Sequence, residues 1–188
     1  MAEVLLFHHA LGLTAGVVTF AERLRAAGHV VYTPDLFEGR TFSSVADGVG
    51  YAEQVGFDTI AERGRRAADG LPAPIVPAGF SLGVIPAQML AQTHPDTAGA
   101  LLLHACLPLS GYGGTWPRGV PLQIHTMEGD DLGDVDVARE LVAAVEGAEL
   151  HLYPGGGHLF TDPGSADYDE AATALVMRRV LAFLRSIG

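Results

Sequence analysis

A chain of 188 residues with 48% hydrophobic and 18% charged residues can bury one substantial core but not two, and its composition excludes a disordered chain. A formal net charge of −11, from 11 basic and 22 acidic residues, excludes binding to nucleic acid through phosphate contacts and repels anions at long range. Every basic residue is arginine, asparagine is absent and Cys106 is the single cysteine, which excludes a P-loop lysine, imine chemistry, N-glycosylation and an internal disulfide.

In chain order, short apolar runs alternate with stretches of helical periodicity. Strands are predicted at Val4–Phe7, Val30–Thr33, Ile75–Ala78, Ala100–His104, Leu122–Thr126 and Glu149–Tyr153. Helices are predicted at Val17–Ala27, Tyr51–Ala68, Ile85–Gln92, Val137–Val145 and Glu170–Ile187. The first run is short and has no basic leader, so neither a signal peptide nor a membrane span is expected. The last helix spaces Leu175, Val176, Val180, Phe183 and Leu184 as one buried face. The segment from Phe37 to Gly50 and the loop "SGYGGTWPRG" read as irregular. Strands that are apolar on both sides belong to a parallel sheet covered twice by helices. The expectation is one doubly wound α/β domain over residues 1–188, a mostly parallel sheet of about six strands with helices on both faces.

In such sheets the chemistry lies beyond the carboxyl ends of the strands. The third run leads into Gly79-Phe80-Ser81-Leu82-Gly83 and then a helix, the setting of a strained turn that presents a serine nucleophile. Flanking glycines let strand and helix pass closely. Pro86 falls in the first helical turn, where proline is tolerated, whereas Pro77 is expected to mark where sheet pairing stops. A serine hydroxyl needs a base, and that base needs an orienting group. His158, after the last strand on Gly155-Gly156-Gly157, is the best-placed base. "MEGDDLGD" offers Asp130, Asp131 and Asp134, of which Asp130 is the chosen acid, leaving the other two as solvated or helix-capping groups. The order Ser…Asp…His is that of α/β-hydrolases.

The acidic cluster fails as an EF-hand begun at Asp130, because Leu141 holds its twelfth position. His8, His9 and Asp35 lack a third zinc ligand at diagnostic spacing, so neither metal nor cofactor is expected. Oxyanion donors are assigned to the Leu82 N–H, at the helix start, and the Ala10 N–H, after the first strand. His9, Leu11, His104 and Trp116 are candidate lining for a substrate pocket, with Tyr112 as a second aromatic over it.

These segments resemble the dienelactone hydrolase family of the α/β-hydrolase fold. The resemblance spans nearly the whole chain and rests on "HHALGLTAGVVTFAERLRAAGHVV", "YTPDLFEGR", "GFSLG", Asp130 and "LYPGGGHLFTDP". It implies a triad of Ser81, Asp130 and His158 with Ala10 and Leu82 as oxyanion donors. Three positions depart from the pattern. Ser81 stands where members that open dienelactones carry cysteine, His9 replaces a glutamate, and Asp162 replaces an arginine that holds an anionic substrate. A serine hydrolase acting on a small ester or lactone is therefore expected, with an anionic lactone disfavoured as substrate. The alternatives are a carboxylesterase or thioesterase with a larger acyl pocket, and a non-catalytic binding domain. A cytoplasmic monomer or small homo-oligomer, without nucleic-acid or membrane partners, completes the expectation.

Overall fold

The computed structural model describes residues 1–188. Six parallel strands form one sheet in the order β2-β1-β3-β4-β5-β6. They are β1 Glu3–Phe7, β2 Val30–Tyr32, β3 Ile75–Phe80, β4 Ala100–Leu103, β5 Leu122–Met127 and β6 Glu149–Tyr153. The helices are α1 Ala15–Ala26, α2 Val45–Val55, α3 Phe57–Ala68, α4 Val84–Thr93, α5 Val135–Ala144 and α6 Glu170–Ile187. No helix is long and apolar enough to cross a membrane.

Alternation along the strands divides the core into two layers. Leu5, Phe7, Ile75, Leu102 and Ile124 face one side, where Ile60 of α3, Leu90 of α4 and Leu141 of α5 cover them. Val4, Leu6, Val76, Phe80 and Leu103 face the other side, where Phe20 and Leu24 of α1 and Val180 and Leu184 of α6 close the layer. Chain reversal between β1 and β3 places the sheet's switch in direction between these two strands, the location at which α/β sheets carry their sites.

Two expectations about the helices are corrected. The predicted Tyr51–Ala68 helix is two helices that meet at Gly56, whose φ of 91° no helix accommodates. The stretch expected to be irregular contains most of α2, which begins after Ser44 accepts a hydrogen bond from the Asp47 N–H.

Pro77 does not end the pairing. It sits within β3 opposite Leu5, and the β1 ladder runs on to Gly79. On the other side Ile75 bonds to Asp96 and Ala98 through its own N–H and carbonyl, and the β4 ladder starts only at Ala78. Backbone groups two residues apart point the same way, so Pro77 occupies the gap between these two attachments, where no N–H is required. His104, expected as the end of a strand, lies just beyond β4 with a φ of 72°.

Candidate active site

β3 delivers Ser81 at the top of the sheet, where a 3-10 turn over Ser81–Gly83 leads into α4. Ser81 has a φ of 49°, a left-handed conformation that strains a residue with a Cβ. The two glycines answer to backbone crowding. A Cβ on Gly79 would overlap the Gly83 carbonyl, and one on Gly83 would lie 2.6 Å from the carbonyl oxygens of Phe7 and His8. The turn therefore rests directly on the end of β1, which brings Leu82 beside the loop His8–Gly12.

Asp130 and His158 meet across a second glycine contact. The Gly129 N–H donates to the Gly155 carbonyl at 2.8 Å, and the Glu128 N–H donates to the Tyr153 carbonyl at 2.9 Å. A Cβ on Gly156 would stand 2.8 Å from the Gly129 carbonyl oxygen. The loops after β5 and β6 thus run backbone against backbone, and this proximity places His158 against Asp130. The His158 Nδ1–H donates to Asp130 Oδ2 at 2.7 Å. The other ring nitrogen, Nε2, is left to accept from the Ser81 hydroxyl, also at 2.7 Å. Asp130 is buried and its Oδ1 accepts from the Leu132 N–H at 2.9 Å. Asp131 and Asp134 are exposed, and Asp134 stands at the start of α5 without a side-chain cap.

Among the predicted oxyanion donors, Leu82 follows Ser81 within the turn, and Ala10 is buried in the loop after β1. The Ala10 carbonyl touches the backbone of α2 at Gly48, where a Cβ would overlap it. The Ala10 N–H has no backbone acceptor.

Two of the four expected pocket residues, His9 and His104, are placed otherwise. His9 is 1% exposed and uses both ring nitrogens inside the protein. Its Nδ1 accepts from the Leu11 N–H at 3.2 Å, and its Nε2–H donates to Asp162 Oδ2 at 2.7 Å. His104 is fully buried, with its ring 6.1 Å from that of His158 and its Nε2 bonded to the Thr161 hydroxyl at 2.9 Å. Burial holds its pKa well below the ordinary histidine value, so it backs the His158 ring as a neutral group. Trp116 ties its indole N–H to the Val120 carbonyl of its own loop at 2.7 Å. Leu11 is buried in the loop that carries Ala10.

The sequence reading also missed the partners of Asp162. Its carboxylate accepts from the Thr14 hydroxyl at 2.6 Å and the Gly164 N–H at 2.7 Å, besides His9. Burial alone would raise its pKa, yet the bonds from His9, Thr14 and Gly164 bring it down to about 2. Thr14 caps α1, a signal legible in "LTAGVV", but its second bond is to a residue far along the chain. Cys106 is buried, and burial first, then Asp134, push its thiol up to about 12, which disfavours the thiolate.

Clefts of ≈ 550 Å³ at Arg40–Gln54, ≈ 350 Å³ at Glu128–Arg139 and ≈ 250 Å³ between Pro108–Ser110 and α5 open on the surface. None of these three touches Ser81.

The profile of the dienelactone hydrolase family matches residues 1–188. The chain belongs to the dienelactone hydrolase family. It is accordingly a hydrolase acting on ester bonds. Comparison of the sequence with curated proteins found no match. Solved structures share the fold. A dienelactone hydrolase-like promiscuous phosphotriesterase from metagenomic libraries is 19% identical with a TM-score of 0.79, over 100% of this chain and 87% of that one. The dienelactone hydrolase of Anabaena variabilis is 18% identical with a TM-score of 0.72, over 99% of this chain and 87% of that one. Esterase PE8 is 16% identical with a TM-score of 0.64, over 100% of this chain and 93% of that one.

Proposed function

We propose that this member of the family is a serine hydrolase that cleaves a small, uncharged ester or lactone through an acyl-enzyme. The observation that carries the reading is the continuous chain from the Ser81 hydroxyl through His158 to Asp130, with both contacts at 2.7 Å. Ser81 Oγ attacks the carbonyl carbon while His158 Nε2 takes its proton. Asp130 keeps the imidazole in the Nδ1–H tautomer and stabilises the imidazolium that forms. The N–H groups of Ala10 and Leu82 receive the developing oxyanion. His158 then returns the proton to the leaving oxygen, and a water deprotonated by the same base releases the acid and restores Ser81.

The preference for an uncharged substrate follows from electrostatics. The net charge is −11, and Asp162, where relatives that take an anionic lactone carry arginine, is itself a buried carboxylate. The single, buried Cys106 suits work in a reducing compartment.

Hydrolysis of p-nitrophenyl acetate by the wild type and by Ser81→Ala tests this reading. The substitution is expected to lower kcat by roughly 10⁴-fold or more. A Ser81→Ala protein that turned over at the wild-type rate would sink the assignment. A fluorophosphonate probe separates an enzyme from a binding domain that only retains the fold: the enzyme is labelled at Ser81.

A further inference from the structure

Residues His8 and His9 lie between the end of β1 and Ala10, and the two rings adopt opposite tautomers. The His8 Nδ1–H donates to the His9 carbonyl at 2.8 Å, while its Nε2 accepts from the Leu36 N–H at 3.0 Å. The His9 carbonyl accepts a second bond, from the Gly12 N–H at 3.0 Å. That carbonyl belongs to the same planar peptide unit as the Ala10 N–H. In a trans peptide the two groups point in opposite directions, so gripping the oxygen aims the hydrogen. The His9 ring engages the next amide, Leu11 N–H, and turns it away from any ligand. On its far side the ring is held by Asp162.

Asp162 lies four residues after His158, in the turn where the Asp162 N–H donates to the Leu159 carbonyl at 3.1 Å. The same carboxylate lies against the first turn of α1, where a Cβ on Gly16 would overlap it. The partial positive charge of that helix end and the Thr14 hydroxyl stabilise it there. One carboxylate therefore joins the loop that carries the base to the loop that carries an amide donor.

We propose that His8 and His9 are positioning residues that aim the Ala10 N–H at the developing oxyanion, and that Asp162 couples their loop to the loop of His158. The inference rests on the assignment of Ser81 as nucleophile and adds the means by which the oxyanion donor is held. Burial brings the His8 pKa down to about 4, so its tautomer persists over the pH range of ordinary esterase assays. Pre-organised donors act on the transition state more than on the bound substrate. Loosening Ala10 should consequently lower kcat and leave KM nearly unchanged.

The test compares His8→Phe, which keeps a flat ring beside Phe37, with His8→Asn, whose amide nitrogen can stand in for Nδ1. His8→Phe is expected to lower kcat for p-nitrophenyl acetate by about 30-fold or more with KM within twofold. It should also speed amide hydrogen exchange in residues 8–12, and His8→Asn should recover kcat to within about fivefold of wild type. Asp162→Asn acts from the other loop and should give the same kcat-selective loss, which keeps the proposal testable if His8→Phe fails to fold. Unchanged exchange in residues 8–12, a loss confined to KM, or His8→Asn as impaired as His8→Phe would each overturn the proposal. Failure of the wild type to hydrolyse any ester would instead remove the Ser81 reading, while the exchange comparison would still decide whether His8 holds the loop.

Discussion

Ser81 holds a left-handed backbone because its neighbours allow the chain no other path between β3 and α4. Gly83 is pressed against the Phe7 and His8 carbonyls, and Gly79 against Gly83 itself. A methyl group at position 83 must push the turn away from β1, displacing Ser81 Oγ from His158 Nε2 and Leu82 from Ala10 at once. Gly83→Ala is therefore expected to reduce kcat by about 10²-fold, the scale of an ångström's misplacement. Steady-state kinetics and fluorophosphonate labelling would check it, and a variant with wild-type labelling would show that the contact is not restrictive. Asp130→Asn should keep the geometry while favouring the wrong imidazole tautomer, lowering kcat by roughly 10²–10⁴-fold with little change in thermal stability.

Among the elements, the break between α2 and α3 makes the simplest prediction. Gly56 has a φ of 91°, and a Cβ there would meet only Thr59 Oγ1 at 3.6 Å. Gly56→Ala should cost about 1 kcal/mol through backbone strain alone and lower Tm by roughly 2–4 °C, with esterase activity intact. An unchanged melting curve would refute the strain. β3 and β4 were legible because both of their faces are buried, so each reads as an unbroken apolar run between turn residues. α2 was not: the buried positions of "VADGVGYAEQV" are Gly48 and Ala52, whose small side chains leave almost no hydrophobic pattern. The Ser81 turn, Asp130 and His158 could be placed because each follows a recognisable strand. The role of His9 could not, since its partner Asp162 is 153 positions away and nothing local distinguishes a clamped histidine from one that lines a pocket.

At the scale of the molecule, stability is tied to pH through histidines kept neutral. Burial is the first cause that lowers the pKa values of His8, His29, His104, His125 and His151. Between about pH 6.5 and their folded values the unfolded chain binds more protons than the native one, so stability falls as pH falls through this window. His8 alone, drawn from 6.5 to about 4, contributes about 3 kcal/mol that is present near neutrality and lost by pH 4. Asp162 works in a lower window: its contribution is complete above 3.8 and lost as pH falls through about 2. Urea midpoints should therefore drop steadily between pH 7 and 4.5, and a flat profile would contradict the buried neutral histidines. The contact between the loops after β5 and β6 carries a different consequence. Gly129, Gly155 and Gly156 meet there without side chains, so the separation of Asp130 and His158 is set by main chain resting on main chain. Such a spacing has no graded settings. Substitution at those positions can spoil it but not adjust it, and any evolved or designed retuning of the Asp130–His158 pair has to come from the residues behind it.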